Sequence, residues 1–74
     1  MIKNKLFKKA LDLAKHFLIN NPKSYEIINL LGVIYLKLGE FDKSIDEFKK
    51  VIHQNPHFPR AYNNLALVIK GKGR

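Results

Sequence analysis

A repeat of 34 residues constrains the fold of this chain more than any other feature of its sequence. The motifs NNP and QNP place Pro22 and Pro56 34 residues apart. The same shift aligns further matching residues on both sides of the prolines: Phe7 with Phe41, Lys9 with Lys43, Asp12 with Asp46, Asn29 with Asn63, Leu31 with Leu65 and Gly39 with Gly73. A fixed period of this length is typical of proteins built from stacked structural repeats.

Each repeat contains two helical patterns, because apolar residues recur at intervals of three and four. Ser24 is a natural N-cap, Gly39 ends the helix that follows it, and Pro56 ends the next one. The sequence therefore predicts an all-α fold of four helices in one domain spanning residues 1–74. Their approximate bounds are 3–20, 25–38, 41–54 and 60–70, with a flexible basic tail at 71–74.

The middle repeat resembles the tetratricopeptide repeat family in the residues that mark its helical hairpin. These marks occur here in the family's order: Leu31, Gly32, Tyr35, Gly39, Phe41, Phe48 and Pro56. The resemblance implies a right-handed α-solenoid arranged as half repeat, full repeat and half repeat. Residues 3–20 would be the second helix of a partial repeat, 25–58 the complete repeat, and 59–70 the first helix of another partial repeat. It also implies a non-enzymatic module that binds proteins or peptides.

The last predicted helix carries two apolar stripes. We expect the first stripe to pack on the helix at 41–54; it consists of Ala61, Leu65 and Val68. The family would bury the second stripe under a following helix; it consists of Tyr62, Ala66 and Ile69. None of the four predicted helices is left to cover this second stripe, so we expect it to be bare.

The first predicted helix is unusually apolar on its outer side. Leu6 and Leu13 align, at the repeat spacing, with Glu40 and Glu47. This is the reverse of the polar capping that solenoids normally show, and bare apolar patches mark interfaces. We therefore expect a homo-oligomer, either a dimer or a head-to-tail assembly, and the alternative is a segment of a longer superhelix. The candidate self-association residues are Leu6, Leu13, Phe17, Tyr62, Ala66 and Ile69.

The resemblance further implies a concave surface that receives a peptide, lined by the helices at 25–38 and 60–70. The candidate peptide-binding residues are Asn29, Val33, Leu36, Lys37, Arg60, Asn63, Leu67 and Lys70. The asparagines would hydrogen-bond a peptide backbone, and the basic side chains would favour an acidic ligand. The alternative is a solvated face that binds no ligand.

The net positive charge of the chain suggests an alternative function, binding to an anionic partner. Fourteen Lys and Arg residues against six Asp and Glu give a net charge of +8, concentrated at both ends of the chain. Such a module would attract nucleic acid or an anionic membrane surface, but aromatic residues for base stacking are not interleaved with the lysines. We expect neither partner. The sequence offers no signal cleavage site and no stretch of about 18 apolar residues, so a cytoplasmic location is expected.

Catalysis, cofactors and metals are not expected. The chain has no cysteine and few other nucleophiles. His53 and His57 are four residues apart, but Asn55 and Pro56 break the helix between them, so they would not form a metal pair. A chain of 74 residues also leaves little room for a catalytic cleft.

Overall fold

The computed structural model describes residues 2–73, with side chains from residue 5 onward. Within these residues the chain forms four helices: α1 (Ile2–Asn20), α2 (Tyr25–Lys37), α3 (Phe41–Gln54) and α4 (Pro59–Lys72). They pack in chain order, with α2 against α1 and α3, and α3 against α4. Only a narrow contact joins α2 to α4. The prediction of an all-α fold of helical hairpins is confirmed.

The end of α2 follows from a single glycine. Gly39 has a φ of +78°, a left-handed conformation that side-chain-bearing residues rarely adopt. This turn lets the Glu40 amide donate to the Tyr35 carbonyl and the Gly39 amide donate to the Leu36 carbonyl. These two bonds satisfy carbonyls that the helix end would otherwise leave unpaired. Gly39 therefore sets the angle at which α3 folds back onto α2.

The last helix is longer than the sequence predicted. Gly71 and Lys72, which we assigned to a flexible tail, belong to α4. A Cβ at Gly71 would lie 3.3 Å from the Phe41 ring, and the Lys72 ammonium pairs with the Asp42 carboxylate. These contacts with α3 outweigh the low helix propensity of glycine, which costs only about 1 kcal/mol. Residue 74 lies outside the described residues.

The core is tightest where α2 crosses α3. Phe48 and Ser44 are fully buried on α3. The Phe48 ring lies on the backbone of Gly32, so close that a Cβ there would come within 2.7 Å of the ring. The Ser44 hydroxyl donates to the Gly32 carbonyl at 2.6 Å. This close approach is possible only because residue 32 has no side chain.

Two apolar clusters flank this crossing. Between α1 and α2, Ala14 packs with Leu31 and Ile34. At the starts of α2 and α4, the Tyr25 and Phe58 rings meet edge to face, with centroids 5.2 Å apart. In the predicted packing stripe of α4, Ala61 and Val68 are fully buried and Leu65 is half-buried. The helices are thus fixed relative to one another along the whole stack.

Candidate protein-interaction surfaces

α4 presents an exposed apolar stripe beside its buried one. Tyr62 is 46% exposed and Ile69 is 56% exposed, and Ala66 between them is also exposed. Their spacing of four and three residues places all three on one side of the helix. We call Tyr62, Ala66 and Ile69 the α4 stripe. These are the residues that the sequence predicted to be bare.

At the other end of the stack, α1 and α2 form an apolar groove of about 260 Å³. We call it the α1–α2 groove; it is lined by Ala10, Leu13, Ala14, Phe17, Ile27 and Leu30. Leu13 is 71% exposed, and Leu6, two turns earlier on the same side of α1, is also exposed. Large apolar side chains on this scale of exposure mark a surface suited to burial against another helix.

Four residues of the groove escaped the sequence prediction: Ala10 and Ala14 on α1, and Ile27 and Leu30 on α2. Ile27 and Leu30 belong to α2, and they complete a surface that we had assigned to α1 alone. The repeat held a signal for Leu30, because the residue 34 positions later is Asn64, which is polar. An apolar residue that replaces a polar one between repeats identifies a different environment at that position.

The predicted peptide-binding residues divide by burial. Asn29 is 6% exposed, and its side-chain oxygen accepts a hydrogen bond from the Asn64 amide at 3.4 Å. Asn29 therefore joins α2 to α4 and is not open to a ligand in this arrangement. Val33 and Leu36 are half-buried. The remaining five candidates are exposed: Lys37, Arg60, Asn63, Leu67 and Lys70.

Charged side chains lie on the outside of the stack. Four lysines of α1 whose side chains are described are exposed: Lys5, Lys8, Lys9 and Lys15. On α3, Lys43 lies 3.0 Å from Glu40, whose hydrogen bond and negative charge raise the pKa of Lys43. In the described part of the chain, no three His, Cys, Asp or Glu side chains are grouped closely enough to hold a metal ion. None of the helices within residues 2–73 has the length and apolarity needed to span a membrane.

Four helices stacked in chain order on a period of 34 residues define a helical-repeat protein. The family model for the TPR repeat matches residues 32–73, which is more than half of the chain. The chain therefore belongs to the tetratricopeptide repeat family. Repeats of this family are in general protein-interaction modules and are typically non-catalytic.

Several curated proteins are similar to this chain. Photosystem I assembly protein Ycf3 of Prochlorococcus marinus subsp. pastoris is 30% identical over 71 residues, covering 92% of this chain and 41% of that protein. The Ycf3 protein of Cuscuta gronovii is 33% identical over 51 residues, covering 69% of this chain and 30% of that protein.

A third relative carries an enzyme name. The probable UDP-N-acetylglucosamine–peptide N-acetylglucosaminyltransferase SEC of Arabidopsis thaliana is 33% identical over 67 residues, or 90% of this chain but 7% of that protein. The chain spans less than half the length of the curated relatives named here. No solved structure shows a significant similarity to it.

Proposed function

We propose that this chain is a self-associating interaction module, in which the α4 stripe of one copy packs into the α1–α2 groove of another. The observation that carries the proposal is the pair of apolar surfaces at the two ends of the stack, with Leu13 71% exposed on one and Ile69 56% exposed on the other. A helix that presents an apolar side to water gains stability by covering it.

The size of the available gain supports the proposal. Fully burying one Leu, Ile or Phe side chain contributes about 1.5–3 kcal/mol. Contact between the stripe and the groove would cover several such side chains, each of which is now partly exposed: Leu13, Phe17, Leu30, Tyr62 and Ile69. The combined free energy of covering these side chains exceeds the lowest estimate of the free-energy cost of association, about 4 kcal/mol.

Sedimentation velocity over a range of protein concentrations tests the proposal. We expect the weight-average sedimentation coefficient to rise with concentration. We also expect association to strengthen as salt is added, since copies with a net charge of +8 repel one another and salt screens that repulsion. A monomer at every concentration and salt level would contradict the proposal. Binding to nucleic acid or to an anionic membrane would instead weaken with salt.

A second function, recognition of an acidic peptide, is supported by the side of α4 that carries Leu67. Leu67 is 57% exposed and lies on one side of the helix with Arg60 and Lys70. A small pocket of about 200 Å³ opens at the start of the same helix, lined by Phe58, Pro59 and Arg60. An apolar side chain between two positive charges suits a peptide that combines acidic and apolar residues.

Fluorescence anisotropy with a labelled peptide of alternating Glu and Leu tests this second function. We expect Leu67→Ser to weaken binding about tenfold, because the lost apolar contact is worth roughly 1–2 kcal/mol. Ile19→Ser is the matched control, since Ile19 is an exposed aliphatic residue on α1. Equal affinity of the Leu67→Ser variant and the unaltered chain would exclude Leu67 from the peptide site.

A further inference from the structure

We infer that the contact between copies repeats the α2–α3 contact in register, with Ala66 of one copy against Ala14 of the next, and that it adds copies in one direction. This inference rests on the proposed self-association and specifies its geometry. It follows from the 34-residue period, which makes α4 the counterpart of α2 and α1 the counterpart of α3. The contact between α2 and α3 is therefore a template for a contact between α4 and α1.

The α4 stripe occupies the positions that α2 uses to meet α3. Its residues correspond to three residues of α2: Tyr62 to Ile28, Ala66 to Gly32 and Ile69 to Tyr35. All three of those α2 residues are buried. Ile28 clusters with Val51, Gly32 lies under Phe48, and the Tyr35 ring lies near the Lys43 ammonium, so each one meets α3. A helix in the place of α3 would therefore cover the whole α4 stripe.

The size of the residues where two helices cross indicates which helix would cover the α4 stripe. At the α2–α3 crossing, a Cβ on Gly32 would come within 2.7 Å of the Phe48 ring. Ala66 brings such a Cβ, so a phenylalanine ring at this position would have to shift before α4 could pack there. The residue of α1 that corresponds to Phe48 is Ala14, which lines the α1–α2 groove. A glycine facing a phenylalanine is thus replaced by an alanine facing an alanine.

Two further features of α1 suit the same partner. Leu6 and Leu13 take the places of Glu40 and Glu47, which widens the apolar side of α1. Both leucines are exposed, so covering them removes apolar surface that α3 does not have at these positions. The side of α1 that carries Ala14 therefore offers a larger apolar area for a contact than the corresponding side of α3.

The direction of growth follows from the two surfaces being different. The α4 stripe and the α1–α2 groove lie at opposite ends of the stack, so a stripe that fills one groove leaves the groove of its own copy free. A contact between two different surfaces forms an open chain unless its rotation closes a ring. Because this contact repeats the step from one helix to the next within the stack, each added copy extends the same solenoid.

Disulfide cross-linking tests the register and the direction together. The chain has no cysteine, so an Ala14→Cys/Ala66→Cys variant carries only the two introduced thiols. After oxidation at a concentration where the unaltered chain associates, we expect a reducible ladder of dimers, trimers and longer species. Ile19→Cys/Ala66→Cys is the control, because Ile19 is exposed and lies on a different side of α1 from both Ala14 and Leu13, and we expect no ladder. Leu13→Cys/Ala66→Cys replaces the first variant if a cysteine at Ala14 disturbs folding.

The alternative outcomes are distinguishable. A covalent dimer that never grows would show a reciprocal contact and overturn the one-directional assembly. Oligomers in sedimentation without cross-links in either Ala66 pair would overturn the register and leave self-association standing. A cross-linked ladder that also forms with Ile19→Cys would overturn the register as well. Absence of oligomers in sedimentation would overturn the proposed function itself.

Discussion

Replacing Phe48 with alanine is expected to lower the free energy of unfolding by about 3–5 kcal/mol. Phe48 is fully buried, and its ring rests directly on the backbone of Gly32, so the lost ring leaves a cavity at the crossing of α2 and α3. A domain of this size has a small free energy of unfolding, so most molecules of the Phe48→Ala variant should be unfolded at 25 °C. Urea unfolding followed by far-UV circular dichroism measures the change.

Phe17→Ala is the matched control for this substitution. Phe17 is 45% exposed on α1, so the same chemical change should cost only about 1 kcal/mol when the chain is dilute. Equal losses for the two variants would show that Phe48 does not hold the centre of the fold.

The role of Gly32 can be isolated by adding a methyl group. Gly32→Ala should destabilise the chain by about 1–3 kcal/mol, since the new Cβ would meet the Phe48 ring. In the Phe48→Ala background the ring is gone, so the same methyl group should cost little. The expected coupling between the two changes is therefore at least about 1 kcal/mol. Strictly additive effects would weaken the case for pairing Ala66 with Ala14.

Placing a glutamate on either apolar surface is expected to abolish self-association. Leu13→Glu and Ile69→Glu would each bury a carboxylate without a partner, at a cost of about 3 kcal/mol or more. That cost corresponds to a dissociation constant raised roughly 100-fold. Sedimentation velocity at the concentration where the unaltered chain associates would then show monomers.

Two controls separate this effect from misfolding and from charge. Ile19→Glu makes the same kind of change on a different side of α1, where Ile19 is 74% exposed and does not line the groove, and association should persist. Leu13 and Ile69 are both exposed in the single chain, so their variants should melt within a few degrees of the unaltered chain at low concentration. Association that survives both glutamate substitutions would exclude these two surfaces as the interface.

The 34-residue period explains why the fold could be predicted from the sequence. Each terminal helix has a counterpart in the complete repeat. Leu13 stood out because Glu47 occupies its place there, and the exposure of Ile69 followed because its counterpart Tyr35 is covered by the next helix, α3. Gly39 ended α2 as expected, because a positive φ is available to glycine at no steric cost. Sequence patterns within one helix were therefore enough to predict features that depend on that helix alone.

What could not be predicted depends on how helices are rotated against one another. The pairing of Asn29 with Asn64 joins residues on two helices, and no periodicity within either helix indicates it. Ile27 and Leu30 complete the α1–α2 groove for the same reason. Gly71 was assigned to a tail on its propensity, whereas its packing against Phe41 keeps it in α4.

The most direct test of the account is to mix the two glutamate variants. The Leu13→Glu chain keeps an intact α4 stripe, and the Ile69→Glu chain keeps an intact α1–α2 groove. Sedimentation equilibrium should show each variant alone as a monomer and an equimolar mixture as a complex of one copy of each that does not grow further. A mixture that remains monomeric, under conditions where the unaltered chain associates, would contradict the claim that the stripe and the groove bind each other.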